Sequence, residues 1–175
     1  MRVPLPALLV LLVACTGGEQ GGSIQVATSF NILRAQPNAR EVAPAVEGEM
    51  LAGDPVDLDG DVAVVNFWGS WCGPCREEQP RLEAIWKRYA DRGVVFIGVN
   101  TRRDQRAAAL AFLEEFEVTY PSVYDPASEI AFEFGVRFMP ATFVIDRQGR
   151  IAAHVVGALR AEEDLTAILD EEIEA

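Results

Sequence analysis

The sequence predicts an α/β fold in which a central mixed β-sheet is covered by helices on both faces. Three observations carry that expectation. Residues 62–68 (VAVVNFW) and 94–100 (VVFIGVN) are short apolar runs rich in β-branched and aromatic residues, the pattern of strands buried on both sides. Segments with helical periodicity follow them. Farther on, residues 142–145 and 151–156 flank Asp146-Arg147-Gln148-Gly149 as a hairpin, ahead of an amphipathic helix over residues 162–172. Strand and helix alternating, then a hairpin and a last helix, suit a layered sheet rather than a bundle or a sandwich.

The elements can be justified in chain order. Residues 8–14 are a short apolar run behind the lone basic Arg2, too short to span a bilayer and suited to the core of a signal peptide. Leu12-Val13-Ala14-Cys15 resembles a bacterial lipobox. Residues 1–14 are therefore expected to be removed, leaving Cys15 to carry lipid and tether the protein to the outer face of the cytoplasmic membrane. The alternative is an ordinary secreted protein with a spare thiol, favoured by the weakly basic start and by Pro4 and Pro6. Residues 16–23 are polar and Gly-rich, the composition of a flexible tether. Residues 15–41 are expected to serve as anchor and linker, with Ile24, Val26, Ile32 and Leu33 free either to pair as an extra strand or to rest on the surface.

The folded domain is expected over residues 42–175. Residues 46–58 read as an N-terminal hairpin, with turn signals at Gly53-Asp54-Pro55 and Asp59-Gly60. After the first long strand, residues 75–89 place Leu82, Ile85, Trp86 and Tyr89 at helical spacing. Pro80 falls inside that helix and should kink it, because it cannot donate to the Arg76 carbonyl. Asp104 is expected to cap a helix running to about Phe116. Residues 120–124 read as a short strand, and residues 128–134 as a helix ended by Gly135.

Composition narrows the function. The chain has 15 basic and 27 acidic residues, a net charge of −12, which argues against nucleic acid as a partner. Its 175 residues suffice for one domain with a substantial core, and no repeat divides them. Arg102, Arg103 and Arg106 form the one basic cluster, which reads as an exposed loop and helix start rather than a docking patch. His154 lies in a strand pattern, where a structural setting outranks ligation.

The chemistry is concentrated in Trp71-Cys72-Gly73-Pro74-Cys75, two thiols three residues apart at a strand-to-helix turn. A free thiol has a pKa of about 8.5 and is mostly protonated at neutral pH. Unpaired N–H groups and the positive end of the helix dipole favour its anion, which makes Cys72 the expected nucleophile. Cys75, one turn along, is then the resolving thiol that displaces a mixed disulfide at high effective concentration. Pro74 stiffens the turn at no cost in helical hydrogen bonds. Glu77 and Glu78 follow as first-turn acids that suit the dipole. For Glu78, on the face of Cys75, a second reading stands beside that one: a partly buried carboxylate with a raised pKa, able to exchange a proton with Cys75.

Structural zinc competes with this reading but needs four ligands, and only Cys15 and His154 remain as soft donors; no metal and no cofactor are expected. A copper-binding chaperone would use the same thiolates with a histidine. A peroxiredoxin-like peroxidase would need a separate peroxidatic cysteine in a Pro-x-x-x-Thr-x-x-Cys context, which the sequence does not contain.

WCGPC after a buried strand resembles the thioredoxin superfamily. Within it, the stretches AVEGEMLAGDPVDLDGD, VAVVNFWGSWCGPCREEQP, VVFIGVN and GVRFMPATFVIDRQGRI resemble the extracytoplasmic TlpA/ResA-type thiol:disulfide oxidoreductases. The resemblance implies a thioredoxin-like fold with an inserted helix and strand over residues 104–124. It implies a proton-carrying role for Glu78, since thioredoxin's buried Asp is replaced by Asn66, and a cis Pro140 facing the cysteines. It further implies that Met139 offers its backbone to an extended substrate, with Trp71 contributing apolar surface beside the nucleophile and Trp68 serving in packing. The implied function is reduction of specific protein disulfides outside the cytoplasm, in particular the haem-binding cysteine pair of apocytochrome c, with recharging by an integral-membrane electron donor. Sequence leaves the reverse direction, disulfide oxidation, open, because about 30 mV corresponds to about 1.4 kcal/mol for a two-electron couple.

Overall fold

The computed structural model describes residues 25–26, 31–58 and 60–175. Eight strands form one mixed sheet: β1 (Gln25–Val26), β2 (Ile32–Arg34), β3 (Glu49–Ala52), β4 (Val62–Trp68), β5 (Val94–Thr101), β6 (Ser122–Asp125), β7 (Ala141–Ile145) and β8 (Ile151–Val156). Their spatial order is β1-β2-β8-β7-β4-β5-β6-β3. The central β4, β5 and β6 run parallel, and the remaining neighbours pair antiparallel. The helices are α1 (Gly73–Tyr89), α2 (Arg106–Glu115), α3 (Glu129–Glu133) and α4 (Glu162–Glu174).

All seven residues of β4 are buried because both faces of the sheet are covered. Alternation then divides its side chains. Val62 and Val64 face a core with Leu82 and Ile85 of α1 and Leu165 and Leu169 of α4. Ala63, Val65 and Phe67 face the opposite core with Ile130 of α3, Phe134 and Phe143. Phe67 packs its ring 5.1 Å from that of Phe134 and 5.8 Å from that of Phe143. Each such side chain contributes roughly 1.5–3 kcal/mol on burial. A third cluster at one end of the sheet joins Trp68, Cys72 and Cys75 to Phe112 and Leu113 of α2.

Several expectations are corrected. Residues 46–58 form no hairpin: β3 is a single strand whose partner is the distant β6, with Met50 opposite Val123. The turns at Gly53 and Gly60 remain, both with positive φ (72° and 83°). The expected linker also ends too late, since Ile32 is buried and β2 pairs with β8 through Ile32–Val155, Leu33–His154 and Arg34–Ala153. Arg40 then binds Glu172 through two 2.7 Å hydrogen bonds and Asp146 through one of 2.9 Å. Residues 1–14 and Cys15 lie outside the described residues. Among the described residues, no helix is long and apolar enough to cross a membrane.

Register brings the chemistry to one end of the sheet. Trp68 pairs with Asn100 across the parallel β4–β5 ladder, and Phe67 pairs with Ala141 across the antiparallel β4–β7 ladder. The loop leaving β4, the turn leaving β5 and the loop entering β7 therefore meet at the same edge.

Candidate active site

The loop after β4 holds the dithiol. Cys72 and Cys75 are joined by a disulfide with an S–S distance of 2.03 Å. Cys72 is the N-cap of α1 rather than its first helical residue, with extended backbone (φ −83°, ψ 107°), and its Sγ accepts from the Cys75 N–H at 3.3 Å. A helix start at Gly73 gives the sulfur of Cys72 the place that a capping oxygen usually takes. It also moves Glu77 and Glu78 beyond the first turn, which overturns their reading as first-turn acids. Cys72 is 5% and Cys75 1% exposed, so Cys72 is the sulfur nearer to solvent.

Trp68, Phe112 and Met139 share an apolar cluster with Cys72. Trp71 is well exposed, and Phe138 beside Met139 is more so. A Cβ at Gly69 would lie 3.1 Å from the Trp71 indole and 3.3 Å from Met139 Cε, so the missing side chain is what lets the two meet over the backbone. The Met139–Pro140 peptide is cis. Beside it runs a groove of about 470 Å³, walled by Pro74 and Arg81 on α1, by Met139 and Pro140, and by the segment from Val156 to Arg160. Asn31 also lines this groove, and its Nδ2 donates to the Ala158 carbonyl. A separate hollow of about 530 Å³ lies between Arg102, Ser128, Phe132 and Val136; neither cysteine lines it or the groove, but the groove has Pro74, between the two cysteines, in its wall.

Glu78 is 1% exposed, on α1 one turn beyond Cys75. Its Oε1 accepts from Asn66 Nδ2 (3.0 Å) and its Oε2 from the Leu159 N–H (2.7 Å). Burial pushes the carboxyl up to about 7; the hydrogen bonds from Leu159 and Asn66 and the charge of Arg81 oppose that shift only in part. Asn66 Nδ2 also donates to Thr142 Oγ1 (3.0 Å), and its Oδ1 is buried without a partner. A half-turn of that amide presents Oδ1 to a protonated Glu78, so one side chain serves both states of the carboxyl.

Asp104 departs from expectation. Gln105 is the N-cap of α2, and Asp104 does not cap it. Instead the buried Asp104 carboxylate accepts from Ser70 N (2.6 Å), Ser70 Oγ (2.7 Å) and Asn100 Nδ2 (2.8 Å). The sequence signal was present, an Asp three residues beyond a buried strand, but it fitted a helix cap equally well. Trp68 packs as expected, stacked on Phe112 at 4.5 Å. The His154 ring stacks on Phe143 at 4.0 Å, and burial pushes its pKa down. Among the described residues no cluster of side chains is suited to hold a metal ion.

A model of the Redoxin family matches residues 38–169. The chain is 37% identical over 153 residues to the thiol:disulfide interchange protein HelX of Rhodobacter capsulatus, covering 81% of this chain and 84% of that protein. It is 28% identical over 161 residues to the thiol-disulfide oxidoreductase ResA of Bacillus cereus, covering 89% of each. Among solved structures, a secreted thiol-disulfide isomerase from Corynebacterium glutamicum superposes with a TM-score of 0.75 at 27% identity, covering 89% of this chain and all of that one.

Proposed function

Because the chain belongs to the Redoxin family and is a thiol:disulfide oxidoreductase of thioredoxin-like fold, we propose that it reduces specific protein disulfides outside the cytoplasm through Cys72 and Cys75. The observation that carries this reading is the position of the Cys72 sulfur at the N-cap of α1, where it receives the Cys75 N–H. In the reduced protein the same donor and the helix dipole hold Sγ as a thiolate.

The thiolate of Cys72 attacks one sulfur of a substrate disulfide, forming a mixed disulfide and releasing the first substrate thiolate. Cys75 gives its proton to Glu78 and attacks the Cys72 sulfur. The Cys72–Cys75 disulfide closes, the second substrate thiolate leaves, and two electrons have passed to the substrate. A carboxyl with a pKa of about 7 is matched to that proton transfer at neutral pH. Met139 and Pro140 support an extended substrate segment along the groove, and the exposed Trp71, next to Cys72 in the chain, adds apolar surface. By family resemblance the substrate is the cysteine pair of an apocytochrome c, and a dithiol of an integral-membrane donor returns the electrons. Lipid on Cys15 would hold the enzyme at the membrane; the Cys15→Ala protein should then move from the membrane pellet to the soluble fraction.

The test uses an oxidised synthetic peptide carrying a Cys-x-x-Cys disulfide. Wild-type reduced protein should reduce it, Cys72→Ser should lose about three orders of magnitude in rate or more, and Cys75→Ser should accumulate the mixed disulfide. A Cys72–Cys75 potential near that of a strong oxidant, about −120 mV, would reverse the proposed direction.

A further inference from the structure

We propose that residues 102–104, the turn leaving β5, are a clamp that sets the two halves of the active site against each other: Asp104 positions the cysteine loop and Arg102 positions the loop carrying Met139 and Pro140. The inference rests on the dithiol being the reactive centre, as proposed above. The buried carboxylate of Asp104 takes both donors of Ser70, the backbone N–H at 2.6 Å and the hydroxyl at 2.7 Å, two residues ahead of Cys72. Two residues back along the turn, Arg102 Nη2 donates to the carbonyls of Val136 and Arg137, each at 2.9 Å, just ahead of Phe138-Met139-Pro140.

The turn is itself held from several directions. Arg102 N donates to Ser128 Oγ (3.1 Å), Arg103 N to the Pro126 carbonyl (3.1 Å), and Tyr124 Oη to the Asp104 carbonyl (2.8 Å). Asn100 Nδ2 fixes the carboxylate from the end of β5 (2.8 Å). Arg102 and Arg103 both adopt left-handed backbone, with φ of 61° and 56°. Consecutive non-glycine residues hold that conformation only where their surroundings over-determine it. Such a turn transmits position: the distance between the Cys72 sulfur and the cis-proline loop is set by one rigid segment anchored in the sheet. Asp104 and Arg102 are positioning residues, acting through Ser70 and through the carbonyls of Val136 and Arg137.

The two halves of the clamp predict different kinetic signatures, read on the full chain as the iodoacetamide alkylation rate of Cys72 against pH and as kcat and KM for the oxidised Cys-x-x-Cys peptide. Asp104→Ala should let the sulfur leave the helix terminus, raising the apparent Cys72 pKa and slowing alkylation at pH 7 by about fivefold. Asp104→Asn, which keeps one acceptor, should fall between Asp104→Ala and wild type, and Ser70→Ala should add little to Asp104→Ala. Arg102→Ala should raise KM for the peptide by about fivefold or more and leave alkylation unchanged. A Cys72 pKa that falls in both Asp104 variants would show a carboxylate acting by charge alone and overturn the clamp, as would an unchanged pKa. An Arg102→Ala protein with unaltered KM, or with alkylation slowed as much as in Asp104→Ala, overturns the second half. Should Asp104→Ala not fold, Asp104→Asn and Ser70→Ala decide the first half. Failure of wild-type protein to reduce the peptide would instead count against the proposed function, since alkylation reads the Asp104 half of the clamp without it.

Discussion

Glu78 and Asp146 are both buried carboxylates, 1% and 3% exposed, at opposite ends of the sheet, and their surroundings drive them apart. Glu78 receives two hydrogen bonds from neutral donors, Asn66 and the Leu159 N–H, and burial holds it up at about 7. Burial also acts to raise Asp146, but Arg40 and Arg150 reverse the outcome and hold it below the usual carboxylate range. Glu78, deep in the core and without a close cation, thus has a pKa near neutrality, whereas Asp146, shallower and flanked by arginines, stays ionised as part of an ion cluster with Arg40 and Glu172. The lesson is that low surface exposure alone does not lift a carboxyl; depth in the core without a close cation does.

The largest test of this contrast removes the cation. Arg40→Leu leaves Glu172 without its ion partner and Asp146 with Arg150 alone, and should cost about 3 kcal/mol in urea unfolding at pH 7; a loss under about 1 kcal/mol would dissolve the contrast. Next comes Glu78→Gln in the oxidised protein. A raised folded-state pKa means that the native protein holds the proton more tightly than the unfolded chain. That stabilisation is complete below the unfolded value of about 4.3 and is lost as pH rises through about 7. Wild type should therefore lose about 3 kcal/mol relative to Glu78→Gln between pH 4 and pH 8, with Asn66 rotating to accept from the new amide. Parallel stability curves would remove Glu78 from the proton chemistry.

Asp146 should show the opposite sign. Its depressed pKa contributes stability present above the unfolded value of about 3.9 and lost as pH falls through the lower folded value. Asp146→Asn should cost about 2 kcal/mol at pH 7, narrowing in acid. The smallest effect belongs to an exposed pair: Arg88→Ala, which breaks the 2.7 Å contact to Glu162, should cost under about 1 kcal/mol and vanish in high salt.

What the sequence revealed was local. β4, α1 and the β7–β8 hairpin carry their period and turn residues within the segments themselves, so their bounds follow closely, and Cys72 and Cys75 announce themselves by spacing. What it concealed depends on partners far along the chain. β2 has three residues, too few for a period, and pairs with a strand more than a hundred residues later. β3 looked like half of a hairpin because its true partner, β6, is not local. Asp104 stood where a capping residue belongs, but the Ser70 donors, brought close by the parallel β4–β5 ladder, claimed its carboxylate. Arg102 read as solvated charge, while its guanidinium bridges to the carbonyls ahead of Met139 and Pro140.

The two outer strands have a further consequence. Among the described residues, the sheet ends in the two-residue β1 on one side and in the four-residue β3 on the other, where the pairing register shifts between Met50 and Ala52 and Glu49 is tied to Arg106. Among the described residues, neither border offers a long, flat template onto which a neighbouring molecule could extend the sheet.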